Sequence, residues 1–459
     1  MHSNQTTNKN IIICSDGTGN KGGYGADTNV FRTYQSLDLD PNPAGGACLQ
    51  KAFYDQGVGT QSNPVWKAIA GAVGLGFEQN ILDAYTFLCR NYAEGDCVFL
   101  FGFSRGAATV RSLACMVETC GILKANALNP ALIQEALEVY RNPRRQNACD
   151  WRRNRQHLLH QVERPILFMG LWDTVSALGF PEGMGEGMGW LFDKLDRLTD
   201  LWKPHRYHRY QTDKAVRHVY HALSIDDNRI AFTPKVWREP GQKTGVEPGQ
   251  GPDTVEQVWF AGAHSDVGGG YPRAGLSHVA MHWMMVWAER HGLRFKDGAM
   301  DAFADPANVQ DTLHNPRDGG AMLFRYGARD IEALCYGPGT KKRTPKMASG
   351  QIKIHESVLQ RMRAGIDDYA PGFLPKQFLE VVHTPGNVKP FAYNEHQPED
   401  QQAWQETQRQ SFLVEEQQRF LFFIFGWLMG FIGLLGISFW QNPPRWCPMV
   451  GGNSATARS

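Results

Sequence analysis

A serine flanked by glycines, Gly102-Phe-Ser104-Arg-Gly106, follows the apolar run 98–101 and precedes the helix-forming stretch 107–116. This is the G-x-S-x-G pattern of a nucleophile elbow. The serine sits on a strained strand-to-helix turn, so its neighbours must be small. The spacing predicts that Gly102 and Gly106 shape the turn. It also predicts that the backbone N–H of Arg105, at the helix start, faces a developing oxyanion. A serine hydroxyl attacks a carbonyl only when a histidine takes its proton and a carboxylate fixes that histidine's tautomer. In α/β-hydrolases the chain order is serine, acid, histidine. Asp173 and Asp266 both follow Ser104 at the ends of apolar runs, and His264 and His355 are candidate bases. Two sets are open on these grounds: Ser104–Asp266–His355 and Ser104–Asp173–His264. Any one of the fifteen histidines more commonly has a surface or core hydrogen-bonding role.

A second polar turn, Asp16-Gly17-Thr18-Gly19-Asn20, ends the first apolar run, 11–14. The backbone N–H groups of Gly17 and Thr18 are candidates for the other half of an oxyanion hole, with Asp16 ordering the loop. A tight turn capped by Asp16 is the plain alternative. The glycine-rich stretch 71–76 fits neither the P-loop nor the dinucleotide pattern, so a packed turn is the simpler reading there.

The elements that must carry these turns are legible in outline. Runs 11–14, 98–102, 165–170 and 258–261 are short, continuous and apolar, as strands buried on both faces are. Between them, residues 78–92 place Ile81, Leu82, Tyr85, Leu88 and Cys89 on one helical face. Alternating strands and helices predict a mostly parallel sheet with helices on both faces, and the serine elbow on it makes the expected fold α/β-hydrolase-like. Ligands of such sheets bind outside the carboxyl ends of the strands, where all four polar turns would gather.

The division expected is a polar tail at 1–10, a catalytic domain at 11–394 and a polar linker or helix at 395–419. An apolar segment at 420–440 and a tail at 441–459 follow. Within the domain, 181–205 is a candidate lid insertion in which Trp190, Leu191, Leu195, Leu198 and Trp202 recur at helical spacing. A surface helix packed on the core explains that spacing more simply. Residues 420–440 carry no charge over a length that reaches across a hydrocarbon core, with Arg419 and Trp440 at the edges. A C-terminal transmembrane or membrane-anchoring helix is therefore expected, a buried hairpin being the alternative.

Composition narrows the partners. The net charge of +1, with Lys and Arg scattered, gives no electrostatic case for a nucleic acid. Nine cysteines without a CxxC pair argue against a zinc site or a disulfide framework, and the chemistry calls for neither metal nor cofactor. The polar start lacks a signal-peptide core, so synthesis in the cytoplasm without ordinary secretory export is expected.

Several blocks in order resemble one known family. They are Ile12-Ile-Cys-Ser-Asp-Gly-Thr-Gly-Asn20, Tyr54-Asp-Gln-Gly-Val-Gly-Thr60, Gly95-Asp96 leading into Phe101-Gly-Phe-Ser-Arg-Gly-Ala107, Trp172-Asp-Thr-Val175, His221-Ala-Leu-Ser-Ile-Asp226 and His264-Ser-Asp-Val-Gly-Gly-Gly-Tyr271. Together they are similar to the α/β-hydrolase family that contains the type VI secretion phospholipase effectors, over residues from about 10 to about 360. The resemblance implies a phospholipase delivered into rival bacteria, with a membrane phospholipid substrate, a secretion-spike partner and a cognate immunity protein. It also implies an acid in the His-Ser-Asp-Val-Gly block and a later histidine as base, which selects Ser104–Asp266–His355. A hydrolase of small soluble esters held at a membrane and a non-catalytic membrane scaffold are the alternatives.

Overall fold

The computed structural model describes residues 8–17, 22–23, 25–41, 48–57, 76–142, 148–176, 214–237, 251–318, 327, 329–336, 352–382, 388–392 and 405–406. The candidate lid, residue Thr18, the apolar segment 420–440 and the tail 441–459 lie outside them. So do all of the linker 395–419 but two residues and most of the tail 1–10. Among the described residues no helix is long and apolar enough to cross a membrane.

The described residues hold nine strands, four of which are the apolar runs. They are β1 (Lys9–Ser15), β2 (Leu49–Asp55), β3 (Cys97–Phe103), β4 (Ile166–Trp172), β5 (Val216–Ser224), β6 (Thr254–Phe260), β7 (Lys353–His355), β8 (Gln377–Val381) and β9 (Val388–Ala392). They form one nine-stranded sheet in the order β2-β1-β3-β4-β5-β6-β7-β8-β9. Every neighbouring pair is parallel except β8 with β9.

The period of two along each strand sorts its side chains between two cores. Ile11, Ile13, Val98 and Leu100 face helices α2 (Phe77–Asn91) and α3 (Arg105–Cys120), in one core with α4 (Pro130–Arg141). Ile12, Cys14, Phe99 and Phe101 face the other layer, where Val30 of α1 (Asn29–Ser36) and Trp283 and Met284 of α6 (Gly275–Arg290) pack. Helices therefore cover both faces, which is why the strands lack polar alternation. The face of α2 read from spacing is the buried one, with Ile81, Leu82, Tyr85, Leu88 and Cys89 all in the core. Thr28 caps α1 by accepting from Phe31 N, and Asn29 donates to the carbonyls of Val267 and Ser277, which ties α1 to the later chain.

Strand order explains where the chemistry sits. From β1 the chain proceeds to β2 on one side and to β3 on the other, so the connections leaving β1 and β3 diverge. Such a reversal opens a crevice at the strands' carboxyl ends. Asp16 follows β1 there, and Ser104 follows β3.

Backbone at this crevice is packed too closely for side chains. A Cβ on Gly106 would lie 2.1 Å from the Ser15 carbonyl oxygen, and one on Gly102 would lie 2.6 Å from Ala107 Cα. The first contact seats α3 on the end of β1, and the second folds α3 back on its own strand. Gly106→Ala is therefore expected to destabilise the protein by about 1–3 kcal/mol, read as a lower urea midpoint with an unchanged slope.

Candidate active site

Ser104 is the turn residue between β3 and α3. Its φ of 58° and ψ of −122° lie in a region that L residues rarely occupy. Its neighbours enforce this. The Ser104 N–H donates to the Trp172 carbonyl at 3.0 Å, and the Ser104 carbonyl accepts from Val175 N at 3.4 Å. The residue is thus stitched to the end of β4 on both sides, and it is 7% exposed. Arg105 begins α3, so its N–H is among those a helix leaves without an intrahelical acceptor, at the positive end of the dipole.

The turn after β1 is organised by Asp16, as expected of it. Its buried carboxylate accepts from Gly17 N at 2.6 Å, Thr28 Oγ1 at 2.6 Å and the Tyr54 hydroxyl at 2.7 Å. The Gly17 N–H expected to serve an oxyanion is therefore engaged by the turn's own carboxylate.

Asp173 stands one residue beyond β4, with φ 38° and no exposure. Its two oxygens collect four donors. His264 Nδ1 is 2.6 Å from Oδ2, Ser224 N donates to Oδ1 at 3.1 Å, and Arg329 donates from Nη1 to Oδ1 at 2.8 Å and from Nη2 to Oδ2 at 3.0 Å. Burial alone would raise this acid's pKa. The Arg329 guanidinium and the His264 contact outweigh it and hold the carboxyl well below the usual range. Against an ionised carboxylate, Nδ1 of His264 carries the proton, so Nε2 presents a lone pair. That Nε2 is buried with no partner among the described residues. The imidazole lies tilted, 4.6 Å from the ring of Phe103, the residue before Ser104, and edge-on to Phe232.

His264 begins a short helix, α5 (His264–Gly268), at the end of β6. Its N–H donates to Asp227 Oδ2 at 3.1 Å, and Asp227 is itself gripped by Arg229. Behind Asp173, Thr174 N and Oγ1 both bond His221 Nε2, at 3.2 and 3.1 Å. Burial and the nearby Arg111 push the His221 pKa down to about 3, so this second imidazole stays neutral.

The pairing expected of Asp266 and His355 is not what the structure holds. Asp266 caps its own helix, accepting from Ala263 N at 3.0 Å, and bonds His314 through Nδ1 at 2.6 Å and N at 3.1 Å. His355 caps α7 (Glu356–Ala364): Nδ1 accepts from Ser357 N at 3.3 Å and lies 2.9 Å from Ser357 Oγ, while the ring stacks on Phe260. The reason is local. Asp266 is spent on the first turn of its own helix and on His314, and the His355 ring on the start of α7, so the two are not turned to each other. Arg329, Asp227 and His314 were not among the sequence candidates. Asp227 directly follows the His221–Asp226 block and was open to notice, whereas Arg329 stands in no motif.

A cavity of 420 Å³ lined by Glu118, Arg152, Arg164 and Lys214 opens at the amino ends of β4 and β5. Parallel sheets place ligands at the opposite rim.

Comparisons with known proteins give the following likenesses. A family model described as the catalytic domain of the T6SS (type VI secretion system) phospholipase effector Tle1-like group matches residues 9–286. The uncharacterized protein YEL023C of Saccharomyces cerevisiae is 27% identical over 258 residues, covering 50% of this chain and 34% of the relative. Among solved structures, an uncharacterized protein from Pseudomonas aeruginosa aligns at TM-score 0.37 and 17% identity, over 65% of this chain and 49% of its own. The Tle1 effector solved bound to the VgrG spike aligns at TM-score 0.33 and 17% identity, over 58% of this chain and 52% of its own. The chain thus spans about a third of the yeast relative and about half of each solved chain.

The dihedrals at Ser104 suit glycine. Ser104→Gly is therefore expected to be more stable than Ser104→Ala by about 1 kcal/mol, the residual strain exceeding glycine's entropic cost. Parallel urea titrations of the two variants check this.

Proposed function

Because this chain belongs to the family of T6SS Tle1-like phospholipase effector catalytic domains, we propose that it is a serine hydrolase cleaving a carboxylic ester of membrane glycerophospholipids. Ser104 is the nucleophile, His264 the general base and then acid, and Asp173 the carboxylate that orients the imidazole. The observation carrying this reading is His264 itself. One ring nitrogen is 2.6 Å from a buried acid, and the other is buried and unpartnered among the described residues, beside the strained serine turn.

In the reaction, Nε2 of His264 accepts the Ser104 hydroxyl proton as Oγ adds to the ester carbonyl. The oxyanion so formed lies at the amino end of α3, where the Arg105 N–H stabilises it; one such donor is worth about 3 kcal/mol. The imidazolium, held by Asp173, then gives its proton to the departing alcohol of the lysolipid. Water, deprotonated by the same histidine, attacks the acyl-enzyme, releases the fatty acid and restores the hydroxyl. Asp16 holds the neighbouring turn in place, and Thr18 remains a candidate second donor.

A wider reading follows from the relatives. One solved neighbour is the Tle1 effector bound to the VgrG spike. Delivery by a secretion spike is proposed for this chain too, and neutralisation in the producing cell by an immunity protein is proposed beside it. Residues 420–440 would hold the domain at its insoluble substrate.

Fluorophosphonate labelling, combined with mass spectrometry of phospholipids after incubation, tests the proposal. Wild type is expected to label and to release fatty acid, and Ser104→Ala to do neither. Asp173→Asn should fall by roughly 10⁴ in kcat, as loss of a tautomer-fixing acid does, and His264→Ala should fall at least as far. His355→Ala should keep labelling. Labelling that persists in Ser104→Ala removes the nucleophile. Intact phospholipids alongside rapid turnover of a soluble ester replace the substrate.

A further inference from the structure

Asp173 is the carboxylate of the proposed catalytic set, yet half of its hydrogen-bonding capacity is given to a guanidinium. Arg329 is 6% exposed and lies beyond the residues that the family model matches. Its Nη1 and Nη2 each take one oxygen of Asp173, and each also donates at 2.6 Å to a carbonyl, Nη1 to Ser224 and Nη2 to Phe232. The planar fork is fixed by two carbonyls from separate stretches of chain, so it fixes the plane of the carboxylate in turn. Oδ2 is shared between Arg329 and His264, and hence the direction of the imidazole depends on where the guanidinium sits.

We infer that Arg329 is a positioning residue for the acid–histidine pair, holding the Asp173 carboxylate in register with His264 while cancelling most of its charge. This rests on the assignment of Asp173 and His264 above. The charge matters because an uncompensated carboxylate at hydrogen-bond distance stabilises the imidazolium and would keep the base protonated to higher pH. The other ionisable groups around His264 are paired, turned elsewhere or neutral. Asp227 is paired with Arg229, Asp266 is turned to His314, and His221, reached through Thr174, is held neutral by burial and Arg111. Asp173 with Arg329 repeats that arrangement, so both carboxylates bonded to His264 are already engaged by a guanidinium.

The sign follows directly. Activity rises with pH as the free enzyme's base loses its proton, so the acid limb of kcat/KM reports the His264 imidazolium. Removing the guanidinium charge leaves Asp173 negative beside it, raises that pKa and moves the limb to higher pH. Removing only the fork while keeping the charge leaves the limb in place and lowers its height.

The experiment is a pH profile of kcat/KM on a soluble nitrophenyl ester for full-length wild type, Arg329→Gln and Arg329→Lys, with thermal melts in parallel. Arg329→Gln is expected to shift the acid limb upward by about one pH unit. Arg329→Lys should lose tenfold or more in kcat/KM, with the limb where wild type has it. Arg329→Gln with an unmoved limb overturns the charge role, and Arg329→Lys with wild-type kcat/KM overturns the positioning role. If Arg329→Gln does not fold, the lysine variant alone decides the positioning role. The two readings fail separately. Activity surviving in Asp173→Asn or His264→Ala removes the assignment beneath, whereas their loss together with wild-type behaviour of both Arg329 variants removes only this inference.

Discussion

A carboxylate with no access to water must find its solvation inside the protein, and Asp173 finds it in four donors from three regions. Ser224 ends β5, His264 begins α5, and Arg329 stands 65 residues beyond His264. Withdrawing an ion from water costs several kcal/mol even after relaxation, and breaking one partner of a buried pair costs about 3–5 kcal/mol. The native arrangement is therefore strongly specified, since every alternative leaves a charge bare. The same bonds that meet this requirement set the imidazole's tautomer and direction. Here fold stability and catalytic geometry are one constraint.

The opposite half of the site depends on close approach of backbone. Ser104 leaves ordinary dihedral space because its N–H and carbonyl are both tied to the end of β4, while Gly102 and Gly106 let α3 lie against β3 and the end of β1. Strain of about 1–3 kcal/mol at such a residue persists only because the surroundings over-determine it. Two core layers of Ile, Val, Phe and Leu on either side of the sheet supply that rigidity. The divergence of connections at β1 and β3 brings the two halves to one rim.

Much of this was written locally in the chain, and so was legible. Apolar runs ending in Gly-rich turns mark β1, β3, β4 and β6. The elbow marks Ser104, and Asp173 and His264 stood among the candidates. What sequence could not decide was which acid faces which imidazole. Asp266 lies two residues from His264, but it is spent on the first turn of its own helix and on His314, which no motif singled out. His355 sits at the end of a strand, as a catalytic histidine would, but its ring nitrogen is engaged in capping the helix that follows. Arg329 was invisible because a lone arginine carries no pattern, and its role arises only from long-range contact. Residues near in sequence to the catalytic turns were thus recoverable, and those brought in by tertiary packing were not.

The most direct test of the account is an experimental structure of the protein after reaction with a fluorophosphonate. The account predicts phosphorus bonded to Ser104 Oγ, with His264 Nε2 within hydrogen-bond reach of that oxygen and Nδ1 still on Asp173. An adduct on another residue, or a Ser104 adduct whose nearest imidazole is His314 or His355, would contradict it.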